Sequence, residues 1–263
     1  MQDLKITLIQ THQVWENKAA NLENYERLLQ MVPETNLVLL PEMFQTGFSM
    51  NVGALAETPE NSPSIDWLKK QASEKKAAFY TSLIIKDGRC YYNRGVFVEP
   101  NGTVSFYDKR KLFGMADESE HFTAGTKETI VEYLGWKINL QICYDLRFPE
   151  NIRNGEIGGK PAYDLLLYVA NWPQRRIQHW SALLPARAIE NQCYVAGVNR
   201  IGTDNLGLDY NGQSRLLNLL GEDLSNLSDS ENVNTVSINY SEMEVLRGKL
   251  PFLRDSNYRS LNN

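Results

Sequence analysis

Cysteine is scarce in this 263-residue chain: Cys90, Cys143 and Cys193 are the only three. An odd count without framework spacing excludes a disulfide-stapled scaffold and predicts a reducing compartment. Histidine is as rare, and His12, His121 and His179 show neither H-x-x-x-H nor a cysteine-paired spacing, so no metal site is expected. Basic residues do not outnumber acidic ones. With 27 Lys and Arg against 32 Asp and Glu, the net charge of -5 leaves no excess to neutralise phosphates, and nucleic acid is not expected as a partner. No apolar run approaches a membrane span, and the N-terminus has no signal-type apolar core or arginine-rich transit helix. The expectation is a cytoplasmic protein with no membrane partner. G-x-G-x-x-G and P-loop motifs are missing too, and no cofactor is expected.

What remains is an ordinary globular composition, 42% hydrophobic and 22% charged, enough to build a sizeable core. No repeat, low-complexity segment or linker-like shift divides it, so residues 1–263 are expected to form one domain, with a core over about 4–240 and a tail over 241–263. Leu4–Gln10 alternates as a strand, and Asn17 is placed to cap a helix running to about Met31. Residues 36–40 and 165–170 are continuous apolar runs, the pattern of strands covered on both faces. Residues 45–63 read as a loop, and Ser62-Pro63 as a helix start. Asp87-Gly88 signals a hairpin between two strands, and residues 174–191 a long helix containing Pro185. Strands and helices interleave, but the hairpin signals break a strict β-α-β order. A mixed sheet, or two sheets, covered by helices is the expected α/β architecture.

Three apolar strands end in residues able to do chemistry. Trp136–Ile142 alternates and delivers Cys143, followed by Tyr144, Asp145 and Arg147 with Pro149 beyond. A thiol at a strand-to-helix elbow stands clear of the sheet, beside backbone N–H groups that can face a bound oxygen. The alternative for Cys143 is a small buried apolar residue. Glu42 follows N-L-V-L-L-P, and Lys109 follows V-S-F-Y-D. A thiol near pKa 8.5 needs a base or cation beside it, and an amine leaving group needs a proton. Glu42 could supply both services, while Lys109 could donate to an oxyanion alongside the Tyr144 N–H. Taken singly, Glu42 could equally be a loop carboxylate and Lys109 one charge of a solvated basic run.

Together with their flanks, L-P-E-M-F, Y-D-K-R-K-L-F and I-C-Y-D-L-R-F-P-E resemble the signature segments of the nitrilase superfamily, the carbon–nitrogen hydrolases, in the family's chain order. That resemblance implies a four-layer α-β-β-α sandwich, usually dimerised, and a catalytic Glu42, Lys109 and Cys143. Lys109 is preferred to Lys111 because it holds the third place of Y-x-K-x-x-L-F. A supporting family glutamate falls on Glu118, with Glu120 as the nearby competitor.

M-A-D-E-S-E-H, Y-V-A-N-W-P and A-R-A-I-E-N-Q-C-Y-V-A are most similar to the omega-amidase branch, whose members hydrolyse 2-oxoglutaramate and similar ω-amides to the oxo-acid and ammonia. A small-molecule amide is thus the expected partner, cleaved through a thioester. Its distant carboxylate calls for a fixed cation, and Arg147 is the candidate. An ion pair of Arg147 with Asp145 or Glu150 is the competing reading. Trp172 is a candidate pocket wall; Phe44, Phe48 and Phe113 are expected to narrow the site. Arg187 and Glu190 are expected to pair structurally or at a dimer interface. Competing functions are a nitrilase, carbamoylase or other small-amide hydrolase, and a catalytically silent binding module.

Overall fold

Four consecutive residues show how the layers are built: Leu37 and Leu39 face one hydrophobic cluster, Val38 and Leu40 another. Period-two alternation puts successive side chains on opposite faces, so a strand that is apolar at every position must be covered twice. The computed structural model describes residues 2–226 and 228–255; residues 256–263 of the expected tail lie outside the described residues.

The first half of the chain runs β1 (Leu4–Gln10), α1 (Lys18–Leu29), β2 (Leu37–Leu39), α2 (Val52–Leu55), α3 (Pro63–Lys75), β3 (Ala78–Asp87), β4 (Cys90–Val98) and β5 (Val104–Asp108). After a short α4 (Glu118–His121) come β6 (Ile130–Tyr133), β7 (Trp136–Ile142), the small hairpin β8 (Glu156–Ile157) and β9 (Lys160–Pro161), and β10 (Leu165–Ala170). The chain ends through α5 (Ile177–Asn191), β11 (Tyr194–Asn199), β12 (Ile201–Thr203), β13 (Asp209–Asn211), β14 (Arg215–Leu217), β15 (Asn232–Ile238) and α6 (Tyr240–Lys249).

Among the described residues, one six-stranded sheet has the order β15-β1-β2-β3-β4-β5 and a five-stranded sheet the order β14-β11-β10-β7-β6. In the first, β1, β2 and β3 are parallel, with antiparallel partners at both edges; in the second, β7, β10 and β11 are parallel. Leu4, Ile6, Leu8, Tyr80 and Phe97 from the first sheet meet Ile138, Leu140 and Ile142 from the second in the inter-sheet core. Tyr80 OH crosses it, donating to Gln141 O at 3.0 Å. Helices α1 and α3 cover the outer face of the first sheet through Tyr25, Leu28, Ile65 and Leu68. On the second sheet, α5 contributes Trp180, Leu184 and Ala188, and α6 contributes Met243. The layers are helix, sheet, sheet, helix, as expected.

Local signals explain the helix starts. Asn17 accepts from Ala20 N, and Ser62 from Ile65 N with Pro63 at the first helical position. The 45–63 segment is less irregular than expected: α2 interrupts it, and Glu57 bridges to Ile85 of β3. The 209–219 stretch, whose sequence reads as two short strands or a hairpin arm, forms two short strands that do not pair with each other. Instead β13 pairs β12 and β14 pairs β11. No helix of the described residues is long and apolar enough to cross a membrane.

Candidate active site

The chemistry-bearing residues follow the carboxyl ends of β2, β5, β7 and β10, the edge where ligand sites gather in parallel sheets. Glu42 lies in a turn past β2; Lys109 directly follows β5, Cys143 directly follows β7 and Asn171 directly follows β10. Lys109 is pinned through its own backbone, its N–H donating to Asn93 O at 3.0 Å and its carbonyl accepting from Gly125 N at 2.9 Å. A side chain at Gly125 would put its Cβ 2.1 Å from Asp108 O, so only glycine lets the loop before β6 close on the end of β5.

Lys109, Glu42 and Glu118 are all buried, with side chains 0% exposed. Lys109 Nζ donates to Glu42 Oε1 at 2.8 Å and to both Glu118 oxygens at 2.9 Å. Asn93 Nδ2 ties the carboxylates together, donating to Glu42 Oε1 at 2.8 Å and Glu118 Oε1 at 3.0 Å. Glu42 Oε2 accepts from Asn171 N at 2.9 Å, which fixes the carboxylate on both sides. Burial disfavours the ammonium of Lys109, but Glu118 and Glu42 outweigh it and hold its pKa above the usual lysine range. Glu118 is therefore the glutamate at the centre of the site, while Glu120 is exposed.

Cys143 begins a 3-10 turn, Cys143–Arg147, in the left-handed region at φ +44. That conformation costs a non-glycine residue about 1–2 kcal/mol and lifts the side chain off the strand axis. The first N–H groups of such a turn, Tyr144's among them, have no carbonyl of their own turn to meet. Asp145 holds the elbow, accepting from Ile142 N at 3.0 Å, Lys111 N at 2.9 Å and Tyr107 OH at 2.8 Å. Burial pushes its carboxyl up to about 6, against the pull of Lys109 and these bonds. Arg187 buttresses the turn from α5, donating to Leu146 O at 3.0 and 2.6 Å while pairing with Glu190 at 3.0 Å. Cys143 Sγ reaches Asn171 O at 3.9 Å. Its thiol is pushed well above the usual range by burial and then by Glu42, with Lys109 opposing.

These groups open onto a cavity of about 470 Å³, whose walls include Lys109, Cys143, Tyr144, Arg147 and Trp172. Arg147 forms no pair with Asp145, whose oxygens are taken up as above, and Glu150 pairs with Lys111 at 3.8 Å. The Arg147 guanidinium lies over the Trp172 ring at 4.6 Å and meets His179 Nδ1 at 3.0 Å. Phe48 and Phe113 line the cavity, but Phe44 does not: it is buried with Tyr25 and Trp67 under the helices of the first sheet. The chain reverses at Met43, φ +46, sending neighbours in sequence to opposite sides.

Sequence reasoning missed Asn171 and Asn93. Asn171 follows an apolar run just as Cys143 does, and the same rule finds it. Asn93 sits inside β4, where nothing in the alternation marks it. Among the described residues no group of three or more His, Cys, Asp or Glu is arranged to hold a metal.

The profile of the family described as carbon-nitrogen hydrolase matches residues 5–247. Omega-amidase YafV of Escherichia coli (strain K12) is 42% identical over 258 residues, covering 97% of this chain and 98% of that protein. The 2-oxoglutaramate amidase of Bacillus subtilis (strain 168) is 32% identical, covering 84% of each. Among solved structures, a CN-hydrolase superfamily protein from Xanthomonas campestris, with an arsenic adduct in its active site, is 38% identical with a TM-score of 0.94, covering 97% of this chain and 98% of that one. Nit3 of Saccharomyces cerevisiae shares the fold at 23% identity, TM-score 0.80 and 95% coverage of each chain.

Proposed function

The chain belongs to the carbon–nitrogen hydrolase family, and from that premise we propose that it is an omega-amidase that uses Cys143, Glu42 and Lys109 to convert a small ω-amide of a dicarboxylic acid to the acid and ammonia. The observation carrying the triad is the buried hydrogen-bonded set Glu42–Lys109–Glu118 beside a thiol on a strained elbow. A thiol held in its neutral form calls for a base at the moment of attack, and Glu42 faces it. Sulfur bonds to the amide carbon as the S–H proton passes to Glu42. The oxyanion accepts from Lys109 Nζ and the Tyr144 N–H. Glu118 keeps hold of the ammonium through its two oxygens while one hydrogen turns to substrate. As the C–N bond breaks, Glu42 gives its proton to nitrogen and ammonia leaves, with a thioester on Cys143. Water then loses a proton to Glu42 and attacks the same carbon; the C–S bond breaks, the thiolate recovers the proton and the acid departs. No cofactor enters this sequence.

Arg147, steadied on Trp172 and by His179, is assigned to the substrate's distant carboxylate. The proposal also takes residues 1–263 as one hydrolase domain. It further includes a homodimer and a cytoplasmic setting, the latter fitting three free thiols. The test is ammonia release from a panel of ω-amides, nitriles and carbamoyl amino acids, with intact-mass detection of the acyl-enzyme. ω-Amides are expected to lead, and Cys143→Ala to lose at least about a thousandfold in turnover while keeping its fold. Appreciable hydrolysis by that variant, or nitriles leading the panel, would count against the reading.

A further inference from the structure

Two guanidiniums face the cavity, those of Arg147 and Arg176, and neither is ion-paired with a carboxylate among the described residues. Arg176 closes the 3-10 turn Gln174–Arg176 ahead of α5, where its carbonyl accepts from Trp172 Nε1 at 2.9 Å. Its guanidinium lies over the Phe113 ring at 5.0 Å, as that of Arg147 lies over Trp172 at 4.6 Å. Stacking fixes the plane of a guanidinium and, apart from the Arg147 Nη2 contact with His179, leaves the edge donors to face a ligand. The two charges are close enough to repel, and burial together with Arg175 and Arg147 holds the pKa of Arg176 below the usual range.

The acidic residues of the wall do not answer this excess. Glu16 is tied to Ser49 at 2.5 Å and Asn51 at 3.2 Å. Asp204 accepts from Tyr210 OH at 2.8 Å and from Leu206 N and Leu208 N at 2.9 Å. Asp117 is exposed at the rim. Lys109 is already matched by its two glutamates. An anionic ligand is what the pair of arginines lacks.

One carboxylate satisfies one guanidinium fork. A second guanidinium beside it asks for another acceptor next to the carboxylate, and repels any cation placed there. We propose that Arg176 is a specificity-determining residue that reads the 2-position of the substrate, accepting a 2-oxo oxygen and rejecting a 2-ammonium group. This rests on the omega-amidase reading and deepens it. A 2-oxo acid presents its oxo oxygen in the plane of the carboxylate, so Arg147 grips the carboxylate while Arg176 donates to the oxo group. An amino acid amide of the same length presents an ammonium to Arg176 instead, and is turned away. The site thereby distinguishes glutamine from its 2-oxo counterpart, although the scissile amides are identical.

The experiment compares kcat/KM for 2-oxoglutaramate, glutaramate and glutamine in wild type, Arg176→Gln, Arg176→Lys and Arg175→Gln. Arg176→Gln is expected to lower 2-oxoglutaramate by about 10- to 100-fold, chiefly through KM, as loss of a charge-assisted bond does. Glutaramate is expected to fall less, and glutamine to hold or rise, so the 2-oxo-to-amino preference drops at least about tenfold. Arg176→Lys, which keeps the charge and loses the fork, should retain rejection of glutamine. Arg175 is exposed, and its substitution should leave the ratio unmoved. Parallel loss on all three amides, or an unchanged ratio in Arg176→Gln, overturns the proposal. Failure of wild type to hydrolyse any of the three sinks the amidase reading instead. Calorimetric titration with 2-oxoglutarate then decides the role of Arg176: weakening by about tenfold or more in Arg176→Gln supports it, and equal binding overturns it.

Discussion

Cys143 combines a strained backbone, φ +44, with a thiol that burial and the Glu42 charge keep protonated. Lys109 works in the opposite direction, favouring thiolate. Removing the Glu42 charge should therefore separate reactivity from catalysis. In Glu42→Gln the proposed base is gone and amide turnover should fall by about 10²- to 10⁴-fold. The thiol pKa, relieved of a facing carboxylate while Lys109 remains, should drop, and the pH midpoint of Cys143 alkylation by iodoacetamide should move down. Peptide mass spectrometry separates Cys143 from the half-buried Cys90; a midpoint that stays put or moves up contradicts this account. The sequence made Glu42, Lys109 and Cys143 visible because each follows a strand and carries its own motif. It left Glu118 and Glu120 undecided, since three-dimensional packing alone buries one and exposes the other. Asn93 was invisible for the same kind of reason, its role being set by two carboxylates brought in from distant segments.

The 45–63 segment carries Phe48, whose ring lies 5.1 Å from Lys109 Nζ, and it is anchored at its far end by Glu57. Glu57 accepts from Lys18 Nζ at 2.7 Å, Ser62 OH at 2.5 Å, and Ser64 N–H and OH at 3.0 and 2.7 Å. Its backbone meanwhile bonds Ile84 O and Lys86 N of β3. One residue thus joins α1 and the start of α3 through its carboxylate and the first sheet through its backbone. Burial alone would raise its pKa, but Lys18, Ser62 and Ser64 overcome that and hold it below the ordinary glutamate value. A lowered carboxyl stabilises the fold above its unfolded pKa of 4.5, and that contribution fades as pH falls through the folded value. Glu57→Gln should cost about 1–3 kcal/mol near neutrality, with the share from half-exposed Lys18 small. Chemical denaturation of both proteins from pH 7 to pH 3.5 checks it: the gap should hold to about pH 5 and then shrink, whereas a pH-independent gap would refute the charge argument. The Ser62-Pro63 helix start was plain in the sequence, because capping is local. The tie from Glu57 to α1 and β3 was not, because it spans 39 residues to Lys18.

At the scale of the whole molecule, alternation and hairpin signals predicted sheets covered by helices, but not how many. The alternation of Leu37 to Leu40 fits a single doubly covered sheet as well as a sandwich, and only the shared contacts of β2 and β7 across the core distinguish them. Layer number is a long-range property that periodicity does not encode. The same holds for what covers the outermost helices. The C-terminal ends of α5 and α6 meet where Arg247 Nε donates to Gln192 O at 2.9 Å and Gln192 Nε2 to Leu250 O at 2.6 Å. Around that junction large apolar side chains remain exposed: Ile189 at 52%, Val245 at 57% and Phe252 at 59%. Leu220 lies beside Gly221, whose space is bounded by Ile189. Apolar area concentrated at one junction is a surface that association removes from water. The proposed homodimer is accordingly expected to pair through α5 and α6. Sedimentation velocity at micromolar concentration should give a dimer for wild type and a monomer for the double variant Ile189→Glu, Val245→Glu. Neither residue lines the cavity, and the double variant should remain folded by circular dichroism. Arg187, on the same helix, contacts Leu146 of the elbow, so loss of the pairing face should also loosen Cys143 and lower kcat more than it raises KM. A double variant still dimeric sends the interface elsewhere on the molecule, and a wild-type monomer overturns the proposed homodimer itself.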